Sequence, residues 1–496
     1  MSETLLDALR GEAGAPALMI PGGPEFTYDE LRSVVADAAG RLAGLGVRPG
    51  DRVAMAFPNG PEAIVMFLAA SLAGTACPLN PAYKEDEFAF YLEDTDTQTL
   101  LLPRGEGAAA RQALQSVFGE RGRVVEVGFD SAGRLELDGA NRDPELPDSD
   151  EVALVLHTSG TTSRPKRVPL RHRNLLASVA NIQATYRLGP EDVSLCIMPL
   201  FHVHGLMAST LATLYSGGTV VAPARFNPLG FWPVARAHRP TWYSASPTFH
   251  HLILLRSEDG RPAGSERLRF VRSCSSTLAP AFMAEMEERL GAPVLDAYGM
   301  TEASHQMASN PLPPEPRKPG SVGRGTGVEI GIMDDGGRLL APGEPGEVVI
   351  RGANVIDGYE GNPEANATSF TEGWFRTGDR GSLDGAGYLT LIGRIKELIN
   401  RGGEKIAPVE IDEVLEAHPK VKEAVAFAQP HPAWGEEVAV AVVLKEPVSE
   451  KELTAWCRER LAEFKVPRKI HLVDEIPRTA TGKVQRRNVA AAFNGE

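Results

Sequence analysis

Short apolar runs alternate with helical patterns along this chain, and that alternation restricts the fold more than any other feature. Thr27 and Glu30 form a capping-box pair ahead of Leu31, Val34, Val35, Ala38 and Leu42 at helical spacing. A Gly/Pro turn then leads to a strand-like stretch at 53–57, an apolar helix from Pro61 and another short strand near Cys77. Strand, helix, strand with short connections is the grammar of a parallel sheet, whose neighbours need a crossover. It returns at 152–156, 219–222 and 293–295, with no repeat of fixed period. A length of 496 residues exceeds what one core fills, so more than one domain is expected. The larger is predicted to be α/β, with parallel-rich sheets and helices, over 1–395.

The texture changes after about Tyr388. A helix is predicted from Pro408, with Ile411, Val414 and Leu415 on one face, then strands at 424–428 and 438–444. A second helix follows the Ser449…Glu452 capping box and is expected to bury Leu453, Trp456 and Leu461. This reads as a small, mobile α+β domain over 396–496, joined near Lys396.

Composition removes some classes. The net charge is -14 and no run of Lys and Arg marks a basic face, which argues against a nucleic-acid partner. Cys77, Cys196, Cys274 and Cys457 lie far apart with no CxxC pair, so neither a disulfide framework nor a zinc site is expected. The first residues are acidic where a signal peptide would be basic, and the apolar stretch 63–73 is too short for a membrane span. A cytoplasmic protein is expected; its oligomeric state is not readable.

One loop carries legible chemistry. His157-Thr158-Ser159-Gly160-Thr161-Thr162-Ser163-Arg164-Pro165-Lys166 follows an apolar strand. Small residues let backbone N–H groups approach an anion, hydroxyls donate to phosphate oxygens, and Arg164 and Lys166 add positive charge. A plain Ser/Thr/Gly surface loop is the alternative. The Walker loop is excluded, because no GK[ST] ending is present.

This stretch resembles the phosphate-binding signature of the adenylate-forming superfamily, which includes acyl-CoA synthetases, adenylation domains of peptide synthetases and luciferases. Four more stretches match in order: Tyr298-Gly299-Met300-Thr301-Glu302, Trp374-Phe375-Arg376-Thr377-Gly378-Asp379, Gly393-Arg394-Ile395-Lys396-Glu397 and Pro477-Arg478-Thr479-Ala480-Thr481-Gly482-Lys483-Val484. All five are expected on loops. The resemblance implies ATP, Mg²⁺ and coenzyme A as reactants and cofactor, with a small-molecule carboxylate as substrate. One carboxylate oxygen would attack the α-phosphorus of ATP, releasing diphosphate, and a thiol would then displace AMP. Both half-reactions need cations and oriented donors where anions meet.

The resemblance also implies roles. Lys483 would bridge carboxylate and α-phosphate. Glu302, with Thr158, would hold Mg²⁺, and Thr301 would donate to the α-phosphate. Thr158, Ser159, Gly160, Thr161, Thr162 and Lys166 would cradle the phosphates. Tyr298 would stack on adenine with Asp296 and Ala297 near the base edge. Asp379 would accept from the ribose hydroxyls, and Arg394 would support ribose or phosphate. The Gly402-Gly403 loop would line a pantetheine tunnel after the small domain rotates about Lys396. Each residue has an ordinary alternative: a solvated lysine, helix-capping Thr and Glu, a sheet-end tyrosine, turn residues.

For the acid, Phe201-His202-Val203-His204-Gly205, Arg272-Ser273-Cys274-Ser275, Met300-Thr301-Glu302-Ala303-Ser304-His305 and Ile399-Asn400-Arg401-Gly402-Gly403-Glu404-Lys405-Ile406 resemble the oxalate–CoA ligases of plants and fungi. A buried second carboxylate needs polar partners. His202, Ser275 and His305 are the candidates, with a protonated His helping and His202 also counted among the catalytic residues. His305 is expected on a helix after Glu302, where it would alternatively point outward. Another small, aromatic or medium-chain acid, a carrier-protein acceptor and a non-catalytic binding protein remain open. Two departures from the family pattern are Ser163 and Arg167, each where relatives generally have Gly. If position 167 needs φ > 0, Arg there is strained by roughly 1 kcal/mol; otherwise it adds a cation beside the triphosphate.

Overall fold

A computed structural model describes residues 3–130, 132–158, 165–257, 260–402, 404–478 and 484–494, the side chain of Lys405 excepted. The chain divides into two compact units. One comprises Met1–Pro319, Gly323–Glu329 and Arg351–Phe370; the other comprises Gly320–Val322, Ile330–Ile350 and Thr371–Glu496.

The first unit contains two large sheets. One has nine strands, in the order Arg324–Gly325, His305–Ser309, Val294–Met300, Phe270–Ser273, Trp242–Ala245, Val193–Leu195, Thr219–Val221, Pro16–Met19, Glu25–Thr27. The six strands from Val294–Met300 to Pro16–Met19 run parallel, and the flanking pairs are antiparallel. Parallel strands are covered on both faces, and here Trp242–Ala245, Phe270–Ser273 and Thr219–Val221 are uniformly buried and mostly apolar, with Ser244, Arg272, Ser273 and Thr219 as buried polar exceptions. The second sheet has seven strands around Arg52–Met55 and Thr75–Pro78. The helix Pro61–Ala73 joins those two, buried along nearly its whole length. Thr27 caps the helix Tyr28–Gly44 with a complete capping box to Glu30, as the sequence predicts. The last strands of this sheet, Val152–Thr158 and Lys166–Arg171, form an antiparallel pair in which Thr158 faces Lys166.

The strand Val294–Met300 pairs with His305–Ser309 through an irregularity. Tyr298 faces Ala308 and Gly299 faces Gln306, so Met307 is an extra residue. Between the strands lies only the 3₁₀ turn Thr301–Ala303. Ser304 and His305 then take φ of +50° and +112°, which stops the turn. His305 therefore sits on a buried strand and not on the expected helix.

The second unit holds a five-stranded sheet that includes Gly346–Arg351, Trp374–Leu383 and Leu389–Arg394, and a further sheet of five that includes Ile399–Arg401, Val421–His431 and Gly435–Leu444. The helix Pro408–Glu416 buries Ile411 and Leu415 as predicted. The helix Glu450–Arg458 buries Leu453 and Cys457; Trp456 is only half-buried, its indole N–H donating to the Val414 carbonyl at 2.7 Å, and Leu461 lies beyond the helix end.

Several signature stretches expected on loops are strands. Trp374–Leu383 runs through Thr377, Gly378 and Asp379, because Gly378 takes φ +74° where the register shifts between Glu347 and Val349. Tyr298, Gly299 and Met300 end one strand, and Gly393 and Arg394 end another. Gly and Asp read as turn signals in sequence, yet here they mark a bulge and strand ends.

Gly299 packs so closely that an added Cβ would overlap the His305 carbonyl. Gly299→Ala is expected to cost about 1–3 kcal/mol and to displace the His305 strand. A lowered Tm together with reduced activity checks this; an unchanged Tm contradicts it.

Candidate active site

In an open parallel sheet, ligands bind beyond the carboxyl ends of the strands. His202 and His204 follow Val193–Leu195; Ser244 lies near the end of Trp242–Ala245; Ser275 follows Phe270–Ser273; Thr301 and Glu302 follow Val294–Met300. The sheet therefore brings residues far apart in sequence to one edge. Gly205 is the second residue of the π-helix His204–Leu211, and a Cβ there would press on the Met198 and Pro199 carbonyls. Ser275, Ser304 and His305 all have positive φ. Non-glycine residues in that region store strain of order 1–3 kcal/mol each, and three of them gather here.

At the centre is a fully buried Arg272. Its Nε donates to the Tyr186 hydroxyl at 2.9 Å and to Gln306 Oε1 at 3.2 Å. Its Nη1 donates to Ser244 Oγ at 3.0 Å and lies 3.4 Å from Nε2 of His204. Nη2 has no hydrogen-bond partner among the described residues. The groups that hold this cation are neutral.

His204 gathers the three residues proposed for the acid. Its Nδ1 is 3.0 Å from Ser275 Oγ, its ring stacks on His305 at 5.2 Å between centroids, and its backbone N–H donates to His202 Nδ1 at 3.2 Å. Its Nε2 is 2.6 Å from Ser244 Oγ. Burial, and then the Arg272 charge, push the His204 and His305 imidazoles well below their usual range. Of the two histidines that the sequence offers as a protonated partner, His305 is thus kept neutral, and a buried positive charge beside it is Arg272. Nε2 of His305 is without a partner among the described residues.

The neighbouring group is built on Glu302, which is buried. Its Oε1 accepts from the Tyr359 hydroxyl at 2.8 Å, and its backbone carbonyl accepts from Ile356 N–H at 2.9 Å. Lys166 Nζ stands 4.3 Å from the centre of the Tyr359 ring, a cation–π distance. Thr301 is buried at the start of the turn. Arg167 lies on the strand Lys166–Arg171 with no positive φ, so the expected strain is absent. Its guanidinium turns to the Asp94 carbonyl and carboxylate and to Glu360 at 4.0 Å. Glu360 also pairs with Arg52 at 2.7 Å.

Asp296 is buried with Oδ1 unpartnered among the described residues, and burial pushes its carboxyl well above the usual range. Ala297 and Tyr298 are buried beside it on the same strand. In the second unit, Asp379 and Arg394 face each other across an antiparallel pair, with Nε to Oδ1 at 2.7 Å. Lys396 is exposed in the 3₁₀ turn Ile395–Glu397. Gly402, at φ +59°, donates its N–H to the Trp434 carbonyl at 2.8 Å and lies tight against that indole. Ser159, Gly160, Thr161, Thr162, Gly403 and Lys483 lie outside the described residues.

Residues 6–360 match the AMP-binding enzyme family, and residues 410–483 match the AMP-binding enzyme C-terminal domain. The chain belongs to the AMP-binding enzyme family. It is 47% identical to an oxalate–CoA ligase of Arabidopsis thaliana over 491 residues, covering 96% of this chain and 95% of that one. It is 46% identical to an oxalate–CoA ligase of Saccharomyces cerevisiae, covering 89% and 87%. Among solved structures it superposes on ATP-bound MatB from Rhodopseudomonas palustris with a TM-score of 0.92 and 30% identity, covering 100% of this chain and 99% of that one. Among the described residues, no helix of this AMP-binding enzyme is long and apolar enough to cross a membrane.

Four residues of this AMP-binding enzyme escaped selection from sequence: His204, Ser244, Arg272 and Tyr359. Arg272 carried a usable signal, since a charged residue inside an apolar strand of a parallel sheet needs a reason. Tyr359 carried none.

Two outcomes follow. Tyr359→Phe removes a hydrogen bond to a carboxylate and is expected to slow adenylation about tenfold; ATP–pyrophosphate exchange at wild-type rate contradicts it. A His kept neutral by burial makes the unfolded chain bind the extra proton below about 6.5, so stability falls as pH drops through that value. Tm measured between about pH 7 and pH 5 should fall, and His305→Gln should flatten the slope; an unflattened slope means that His305 titrates normally.

Proposed function

We propose that this chain is an oxalate–CoA ligase of the AMP-forming type. In the first step an oxalate oxygen attacks the α-phosphorus of ATP, forming oxalyl-AMP and releasing diphosphate. In the second the CoA thiol, losing its proton, attacks the acyl carbon and AMP leaves. The buried Arg272, held by neutral partners with one Nη free among the described residues, carries the reading. A guanidinium sealed from water favours an anion nearby and is a poor wall for an alkyl or aromatic tail. The family membership and the two ligases of the same name support it.

His202, Ser275 and His305, as neutral donors and acceptors around His204, form the end of the pocket for the second carboxylate in this reading. The Asp296 oxygen without a partner suits a purine amino group, with Tyr298 beside it for stacking. Asp379, oriented by Arg394, is the ribose acceptor. The phosphates lie with Thr158, Ser159, Gly160, Thr161, Thr162, Lys166 and Thr301. Glu302 offers a buried oxygen donor steadied by Tyr359. That fits Mg²⁺, which takes one or two carboxylates together with phosphate oxygens and water. Glu302 and Thr158 would hold it, and it would neutralise charge on the phosphates. Lys483 bridges the attacking carboxylate and the α-phosphate. We assign the small domain to 396–496, hinged at Lys396, with Gly402 and Gly403 admitting the pantetheine arm, and we place the reaction in the cytoplasm.

ATP–pyrophosphate exchange across a panel of carboxylates tests the acid. Oxalate is expected to lead; exchange with another acid and none with oxalate removes the oxalate assignment. Formation of oxalyl-CoA from purified components separates CoA from a carrier protein as acceptor. Lys483→Ala should lower exchange about a hundredfold or more, and full activity in that variant would overturn its role.

A further inference from the structure

We propose that Arg272 sets the direction of a hydrogen-bond chain, Arg272–Ser244–His204–Ser275, and so leaves the Ser275 hydroxyl as an obligate donor to the far carboxylate of the substrate. The acceptor in this proposal rests on the oxalate reading; the direction of the chain does not.

A guanidinium donates and never accepts. Its Nη1 gives a hydrogen bond to Ser244 Oγ at 3.0 Å. The Ser244 hydroxyl hydrogen then turns to the nitrogen 2.6 Å away, Nε2 of His204. That nitrogen must be the bare one. A proton on it would also face the Arg272 N–H 3.4 Å away. The His204 proton is therefore on Nδ1, where it donates to Ser275 Oγ at 3.0 Å. Ser275 accepts this bond, which frees its own hydrogen for another acceptor. Among the described residues no second partner of that hydroxyl is recorded.

The surroundings suit a small anion. Ser275 sits just beyond the carboxyl end of Phe270–Ser273, held at φ +79°. His305, stacked on His204, presents Nε2 with no partner among the described residues. A carboxylate there accepts from Ser275, whereas an apolar tail leaves the hydroxyl unpaired. Arg272, Ser244 and His204 are thus positioning residues, and Ser275 is the specificity residue they aim.

The tautomer is measured first, on the full-length protein labelled with ¹⁵N-histidine, with His204→Gln assigning the signal. A bare Nε2 and a protonated Nδ1 are expected; a proton on Nε2 overturns the chain. Kinetics come second, comparing oxalate with oxamate, in which a neutral amide replaces the far carboxylate. Ser244→Ala and Ser275→Ala should raise KM for oxalate about tenfold and shrink the preference over oxamate by a similar factor. KM for ATP should stay unchanged. Equal losses with both acids show a merely structural role and overturn the proposal. If the wild-type protein activates no oxalate, the substrate reading falls and the acceptor named here falls with it, while the tautomer alone then decides the chain.

Discussion

Moving a guanidinium out of water costs several kcal/mol unless hydrogen bonds replace the lost hydration. Arg272 meets that demand with three neutral groups, each from a different element: Tyr186 from the helix His172–Tyr186, Ser244 from the strand Trp242–Ala245, and Gln306 from the strand His305–Ser309. One side chain thereby ties a covering helix, a parallel strand and the antiparallel strand at the sheet's end. Tyr186 is itself fixed by stacking on Phe270, two residues before Arg272 on the same strand face. Burial first, and then this charge, holds the nearby His204 and His305 imidazoles well below their usual range.

The Glu302 turn depends on a different segment of the first unit, residues 353–360. Asn354 donates to the Ala303 and Gln306 carbonyls, Ile356 to that of Glu302, and Tyr359 to the Glu302 carboxylate. The turn between the two strands is thus held by this segment through four hydrogen bonds. Asp357 is bound by Arg171 and Arg173, and Glu360 by Arg52, so the clamp is itself anchored to the strand that begins at Lys166, to the helix after it and to the strand Arg52–Met55 of the same sheet. Arg167 completes that anchorage and is engaged away from any free cationic role.

Much of this was legible in sequence. Apolar runs and caps gave the helices at Tyr28, Pro61 and Pro408 and the parallel strands, because those signals are local. Of the signature stretches, the one from Tyr298 to Glu302 runs off the carboxyl end of a parallel strand, where His202 and Ser275 also lie. Sequence could not say that Gly378 sits in a bulge, since Gly and Asp favour turns and bulges alike. His305 was misplaced onto a helix because two positive φ values, invisible in residue types, end the turn after Ala303. Whether position 167 takes a glycine conformation is decided by its strand, which imposes none. The central place of His204 was not legible, because its contacts with Ser244 and Ser275 lie tens of residues away along the chain.

The extra residue at Met307 has an evolutionary consequence. In a strand, side chains alternate between faces, so a one-residue change of register turns them over. The bulge lets the half of the strand with His305 and Gln306 and the half with Ala308 and Ser309 pair with Val294–Met300 out of simple alternation. Loss of that single codon would force one half to flip, exchanging His305 for a neighbour at the pocket or moving Ser309 away from Tyr186. One in-frame deletion is thus enough to undo the stacking of His305 on His204, with both histidines still encoded.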